Sequence, residues 1–414
     1  MKIGMLSHWY DPEVGGAAGP GTIARALHQR GHEVDVVTGY PIYPTGRLAE
    51  GYRIRPYQRE HLRGVTVHRS PIYPSHDTRA GHRMANYLSY ATSASAVAAA
   101  VLRRSDVIYV YSTPATTAIP AFGLRRITGA PMVTHIQDLW PQTVTASGFV
   151  DGDERSSRME RVLHRYCDAV YRRSQAIAVT SPGMADLIAE RGIPRDRLHF
   201  VPNWAEETSF YPRDGKDHAL ARELGLDPGF TVMFAGNQGE MQQLGTVLDA
   251  AALLRSEPGL QIALVGGGVM HDHLRSRVER EGLDNVRMVG PQPFSRMSEI
   301  LALGDVQLVS LKDVPLYRST LPSKLQANLA AGRPIIGALT GDAADVVTAS
   351  GAGLVTRPGD SRQLADAICE LRSRGPQRLA EMGRSARAHY DSTYSERAVG
   401  DRLEALLTTA GGTR

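Results

Sequence analysis

The stretch Leu311–Ala338, LKDVPLYRSTLPSKLQANLAAGRPIIGA, gathers residue types suited to holding an anion. A polar loop runs into a helix and then into a short apolar strand, so several backbone N–H groups and the positive end of a helix dipole converge on one spot. Pro322 restricts the exit from the loop, and Ser323 is the expected N-cap. Lys324 then falls in the first helical turn, where the dipole opposes a cation unless an anion lies beside it. Alone, such a lysine reads as a solvated surface residue. Other ligand-facing loops must accompany it before phosphate becomes the better reading.

The elements that would supply those loops follow from periodicity. Lys2–Leu6 reads as a buried strand, Ser7 to Gly21 as a loop rich in glycine, Thr22 to Arg30 as a helix and Glu33–Thr38 as a second strand. The spacing GGAAGPG is not G-x-G-x-x-G, and no acidic residue ends the second strand at Thr38-Gly39 to hold a ribose, which argues against an NAD site. Tyr40 to Ser70 reads as irregular. Beyond it, strands at 107–111, 132–135 and 176–180 alternate with helices, the pattern of a parallel sheet covered on both faces. Residues 204–216 read as a linker between an N-terminal domain, 1–203, and a C-terminal domain, 217–392, with 393–414 as a closing helix that could pack back on the first domain. In the second half, strands end in GNQGEMQQ (236–243), GGG (266–268) and GPQP (290–293), each placing glycine or bare amides at a strand's C-terminal edge. Two such α/β units suggest a ligand cleft between them.

A chain of 414 residues exceeds one compact core, which also favours two domains. Cys167 and Cys369 form neither a zinc spacing nor a disulfide framework, as in a reducing cytoplasm. The start MKIGMLSHWYDP is too short an apolar run for a secretory signal, and no stretch of about 18 apolar residues could span a bilayer. Residues 1–200 hold 24 Lys+Arg against 17 Asp+Glu, and the nine arginines of residues 51–104, opposed by Glu60 and Asp77, account for that surplus. The helix expected over 81–104 is therefore either an ordinary core helix or a face for an anionic membrane. Basic residues are not interleaved with a recognition module, so nucleic acid is not an expected partner.

The segments YDPEVGGAAGPGTIARALHQRGHEVDVVTGYPIYPTGR, HIQDLWP, VPNW, FAGNQG, LVGGG, the Leu311–Ala338 stretch and GAGLVTRPGD occur in an order that resembles glycosyltransferase family 4, and within it the colanic-acid and O-antigen branch. The resemblance spans nearly the whole chain. It implies a GT-B, α/β fold of two Rossmann-like domains with parallel sheets facing a central cleft. It also implies a retaining, metal-independent transferase acting on a nucleotide-sugar co-substrate, expected to be a UDP-sugar, with no resident cofactor. The acceptor would be a polyprenyl-linked glycan or a small natural-product intermediate, and the enzyme cytoplasmic or peripheral at the inner face of the membrane through residues 51–104.

By the same resemblance the donor diphosphate lies near Gly15, Gly16 and Ala17 and the loop Gly236, Asn237, Gln238. The base sits near Val289 and Pro291, with Gly267 in the neighbouring glycine loop, and Arg318, Ser319, Thr320, Ser323, Lys324 and Gln326 face phosphates and sugar. Two glutamates usual in the family align with Ser319 and Ala327, and a usual basic residue aligns with Gln242 or Gln243. Lys324 would stabilise the departing phosphate charge. Asp138 and His135 are the acceptor-side candidates, with a turn cap and a satisfied core histidine as their structural readings, and Glu13 is a catalytic candidate that would orient acceptor or donor.

Two motifs are set aside. DGDE at 151–154 follows a glycine-rich turn rather than a strand end, and His271 and His273, two apart on a helix, point in different directions. A catalytically silent nucleotide-sugar-binding subunit and a sugar-nucleotide epimerase of similar architecture remain as alternatives, the first motivated by the missing glutamates.

Overall fold

A computed structural model describes residues 1–75, 79–142 and 154–412. The chain divides into two compact units, Met1–Pro202 with Gly400–Arg414, and Asn203–Val399. The first holds β1 (Lys2–Leu6), β2 (Glu33–Thr38), β3 (Gln58–Leu62), β4 (Val65–Arg69), β5 (Val107–Ser112), β6 (Met132–Ile136), β7 (Ala176–Val179) and β8 (Leu198–Phe200). The second holds β9 (Phe230–Ala235), β10 (Leu260–Val265), β11 (Val286–Val289), β12 (Val306–Ser310), β13 (Ile335–Ala338) and β14 (Gly353–Thr356).

The first sheet runs β3-β4-β2-β1-β5-β6-β7-β8, parallel throughout except for the β3–β4 pair. The second runs β11-β10-β9-β12-β13-β14 and is wholly parallel. Both are doubly wound Rossmann-like sheets. Strand order reverses between β1 and β5 in one and between β9 and β12 in the other, and in such sheets ligands seat outside the strand C-termini at the reversal. The central strands leave no alternative: every residue of β5, β6, β10 and β12 is buried, so helices cover both faces and polar chemistry is displaced to the strand ends.

One segment departs from expectation. Residues within Tyr40 to Ser70 form the β3–β4 hairpin, turned by Arg63 (φ 51°) and Gly64 (φ 86°), two consecutive left-handed residues of the kind a tight hairpin needs. Its outer strand, QREHL, carries no apolar alternation for periodicity to detect, because β3 is an edge strand; only the inner strand VTVHR is buried. Residues 204–216 lie with the second unit: Ala205 N–H donates to the Tyr390 hydroxyl at 3.2 Å, and Tyr211 N–H to Ser298 Oγ at 2.9 Å. The closing helix Glu396–Gly411 carries Asp401 and Glu404 to Arg30 and His32 in the first unit.

The arginine-rich segment is not a single basic face. Arg69, at the end of β4, is wholly buried; its Nε meets Glu60 Oε1, its Nη1 donates to the Gly39 carbonyl at 3.0 Å, and its Nη2 donates to the Asp11 carbonyl. The guanidinium also lies 5.4 Å from the centroid of Tyr52. One buried cation thus fixes the backbone that leaves β1 and β2. Removing one partner of a buried pair strands the other, so Arg69→Met should cost about 3–5 kcal/mol in urea denaturation. The Arg69→Met/Glu60→Gln double variant should lose less than the single one.

Candidate functional site

In the second unit, three strand-end loops converge. Gly236 N–H donates to the Val265 carbonyl and Gln238 N–H to the Gly267 carbonyl, so the turns after β9 and β10 lie against each other. Gly267 approaches Pro291 beyond β11: a Cβ there would come within 3.2 Å of its Cγ. Across the reversal, Lys312 N–H donates to the Met241 carbonyl at 2.9 Å, joining the loop after β12 to the loop after β9.

Lys324 occupies this reversal. Its aliphatic stem covers Gly236, where a Cβ would stand 2.4 Å from the lysine Cε, and its ammonium lies 4.9 Å from the centroid of Phe234 on β9. Gly236 adopts φ 140°, so the glycine is required both by conformation and by this approach. Among the described residues no carboxylate or hydrogen-bond acceptor meets Nζ, and desolvation alone pulls the group down to about 8. The helix behind it, Ser323–Ala330, begins with Ser323 as its first residue rather than as the N-cap, with Pro322 in the N-cap position; Leu325 N–H turns back to the Pro322 carbonyl, and no side chain caps the amides of Ser323 and Lys324. A half-buried cation with no anion beside it among the described residues, at a helix start without a side-chain cap, is in a field that an anion would relieve.

The neighbouring candidates divide differently. Arg318 is paired bidentately with Asp313 (2.9 and 3.0 Å) and so is already neutralised. Ser319 and Thr320 hydroxyls both donate to the Leu316 carbonyl within their own turn. Gln326 is 4% exposed and its amide donates to the Asn203 carbonyl at 2.8 Å, bracing the helix from behind, and Ala327 is also buried. Gln238 is fully buried, bonded through Nε2 to the Leu264 and Gly266 carbonyls and through Oε1 to His271 Nδ1. It supports the glycine loops from beneath and does not face a ligand. Gln242 accepts the Gly239 N–H and stays within its own turn. Exposed Asn237, Ser323 and Pro291 and half-buried Gly267, with buried Val289, remain as loop-edge groups. His271 has both ring nitrogens engaged, by Gln238 and by Arg275, which suits a brace rather than a metal ligand. Of DGDE, residues 151–153 lie outside the described residues.

In the first unit, Gly15–Ala17 form a short 3-10 turn, with Gly15 at φ 63° and Gly16 beneath the Tyr43 hydroxyl. Glu13 is 5% exposed; its Oε1 accepts the Ile42 and Tyr43 N–H groups at 2.8 and 2.9 Å and its Oε2 the Tyr10 N–H at 3.1 Å. Burial pushes this carboxyl up to about 7 against those three amides. It clamps two loops together through three backbone amides. His135 is likewise engaged: fully buried, it accepts from Tyr109 Oη at Nδ1 and donates from Nε2 to the Val201 carbonyl, with burial lowering it to about 4. Asp138 keeps a site-like setting at the end of β6. The Thr113 hydroxyl beyond β5 donates to it, and desolvation raises its carboxyl above the ordinary range. Sequence reading passed over His8, Trp9 and Tyr87; the signal available was SHWY placed directly after β1.

A family model described as a glycosyl transferase 4-like domain matches residues 15–204, and one described as glycosyl transferases group 1 matches 229–374. The putative colanic acid biosynthesis glycosyl transferase WcaI of Escherichia coli is 30% identical over 80% of this chain and 82% of its own. The chain belongs to glycosyltransferase family 4. The probable glycosyltransferase WbjE of Pseudomonas aeruginosa is 26% identical over 71% of this chain and 72% of its own. Among solved structures, HepE of Anabaena in complex with UDP is similar at TM-score 0.73, 16% identity and 99% and 100% coverage of the two chains. Sucrose-phosphate synthase of Thermosynechococcus elongatus gives 0.74, 18% and 100% of each. This likeness is one of fold, the GT-B pair of Rossmann-like domains.

For this glycosyltransferase the unpaired ammonium sets a trade of stability against binding. The native group titrates near 8 and the unfolded one near 10.5, so below pH 8 the full desolvation cost is present, and stability recovers as pH rises from 8 to 10.5. Lys324→Met should therefore leave the ligand-free protein as stable or about 1–2 kcal/mol more stable at pH 7, with that advantage shrinking above pH 8. Thermal melts across pH 6.5 to 10 check it; a large loss of stability at pH 7 would place Lys324 in the structural framework.

Proposed function

We propose that this glycosyltransferase moves a sugar from a nucleoside diphosphate sugar, of the UDP class, to a hydroxyl acceptor with retention of anomeric configuration. The observation that carries the reading is Lys324, a half-buried ammonium without an anion, set against Gly236 where the second sheet reverses. HepE, similar in fold, was solved with UDP, and WcaI is named for colanic acid biosynthesis; both support the donor class and a polysaccharide setting.

In this reading the bond from the anomeric carbon to the β-phosphate oxygen breaks, and its electron pair goes to the diphosphate. Lys324 and the first amides of the Ser323–Ala330 helix, which no side chain caps, stabilise that charge, which develops most fully in the transition state. The acceptor oxygen forms its bond on the same face, and its proton passes to the departing phosphate oxygen. Asp138 is the acceptor-side carboxylate, and Glu13 holds the glycine loop in register with the segment at 42–43. We assign the leaving charge to these groups rather than to a metal. Ser319 and Ala327 leave no acid pair for the ribose, so exposed Asn237 and backbone amides of the glycine loops take that part.

For the acceptor, a shallow groove of about 550 Å³ lined by Pro71, Ile72, Tyr73 and Leu88 together with Ser89, Thr92 and Ser93 supports a lipid-linked molecule over a soluble one. No helix among the described residues is long and apolar enough to cross a membrane. Sedimentation with anionic vesicles at low salt should carry the protein into the pellet; protein left in the supernatant would remove the membrane-docked version of this reading.

A panel of UDP-, GDP- and dTDP-sugars should single out one donor that raises the melting temperature by roughly 5–10 °C at a hundredfold excess over its Kd. That donor should also be consumed slowly with release of free nucleotide. In Lys324→Ala its affinity should fall about 10–100-fold with the ligand-free melt preserved. Binding without consumption, in the presence of any acceptor, would instead mark a silent binding subunit.

A further inference from the structure

Of the 47 Lys and Arg residues only four are lysine, so the chain supplies nearly all its permanent cations as arginine. Two of the four are neutralised: Lys2 Nζ meets Glu33 at 2.8 Å, and Lys216 Nζ meets Asp305 at 2.6 Å and the Gly229 carbonyl at 3.1 Å. Lys312 is half-buried on the loop after β12. Lys324 differs from all three in what surrounds it. Its Nζ stands 4.9 Å from the centroid of Phe234, its stem lies on Gly236, and among the described residues no acceptor meets it. No side chain caps the first amides of its helix, those of Ser323 and Lys324. Helical side chains lean toward the N-terminus of their helix, so the amine is carried toward that end.

An ammonium in that setting has neither a partner nor full hydration, and an apolar floor favours the uncharged amine. A guanidinium there could hold phosphate and would stay protonated; only lysine adds an amine that can react. No titratable group on a neighbouring element opposes the effect: desolvation is the one cause acting on Nζ, and it brings the group down to about 8. At pH 7.5 about a quarter of such an amine is unprotonated, against about 0.1% of an ordinary lysine. The lower basicity also weakens the nucleophile. With a Brønsted coefficient of about 0.45, as for thiols, that loss is about 13-fold against a gain in free amine of about 240-fold, which leaves Lys324 roughly 20-fold more reactive than an ordinary lysine.

We propose that Lys324 is an acylation site, modified by acyl phosphates, and that acylation abolishes anion binding at the reversal of the second sheet. Nζ attacks the acyl carbon, and the bond from that carbon to the bridging phosphate oxygen breaks. Its electron pair leaves with inorganic phosphate, one amine proton ends on that phosphate, and an amide remains. The phosphate of the reagent suits the helix amides that no side chain caps, which favours this class of acyl donor over a neutral one. The product is uncharged, so the cation that would meet a diphosphate is gone. The consequence for sugar transfer rests on the transferase reading above; the reactivity of the amine does not.

The ligand-free protein should be incubated with acetyl phosphate from pH 6.5 to 10 and mapped by peptide mass spectrometry, with the other three lysines as internal references. At pH 7.5 Lys324 should be acetylated ahead of Lys2, Lys216 and Lys312, at roughly 20 times the rate of an ordinary lysine. Its rate should level off above pH 8, whereas an ordinary amine keeps gaining to about pH 10. Acetylation led by Lys312, spread evenly over the four lysines, or rising at Lys324 without a plateau overturns the proposal. Millimolar pyrophosphate should slow the modification of Lys324 alone, and the acetylated protein should lose the rise in melting temperature that pyrophosphate gives the unmodified one. Protection by pyrophosphate together with ordinary reactivity would defeat this proposal alone. Fast acetylation that pyrophosphate does not slow would keep the acylation site and overturn the donor-phosphate reading above.

Discussion

The structure depends on one constraint: its central strands are buried on both faces. A strand such as VIYVYS or LQIALV, covered above and below, has no solvent side on which to place a polar group. Polar groups free to meet a ligand are displaced to the strand ends and to the starts of the helices that follow, and the reversal of strand order opens a gap between two such loops. Lys324 and His8, the most unusual polar side chains of the two units, both stand at a reversal. Their positions follow from topology, and their chemistry follows from what burial does to each.

Burial acts on them in the same direction with different results. Both bases lose affinity for their proton, the lysine to about 8 and the histidine to about 3. At neutral pH the lysine therefore remains a cation, held without an anion, while the histidine is a neutral acceptor. A cation in that condition gains most from a diphosphate whose charge increases as a bond breaks. Glu13 and Arg69 serve neither end directly: they tie the loops leaving β1 and β2 to one another, so that the residues which do face a ligand are held by buried hydrogen bonds rather than by loop stiffness.

The alternation of strands and helices was legible because buried parallel strands are long apolar runs and the loops between them carry glycine and proline. The β3–β4 hairpin was not, since its outer strand QREHL is an edge and has no face to make apolar. For the site, residue type located the region without separating its ligand-facing groups from their supports. Gln238, Gln326 and His135 all have types that bind sugars, and all three turn inward to satisfy buried carbonyls. Arg318 has the type that binds phosphate, but Asp313, five residues before it, already holds it bidentately. A hydrogen-bond partner on another strand is invisible in sequence, and that partner decides whether a polar side chain is a brace or a ligand.

The replaced acids fit the same logic. A glutamate at 327 would lie on the buried side of the Ser323–Ala330 helix, where Gln326 and Asn328 are also enclosed, and there it would need a donor to offset desolvation. Alanine avoids that requirement, and Gln326 bonds the chain at Asn203, so the helix is fixed from behind by a neutral contact. With no carboxylate near Nζ among the described residues, the field at Lys324 is left to the helix N-terminus and its own charge, both of one sign. An acid placed beside it would relieve the lysine and weaken its pull on phosphate together. The absence of that acid among the described residues leaves an ammonium of lowered proton affinity, at the expense of stability in the ligand-free protein.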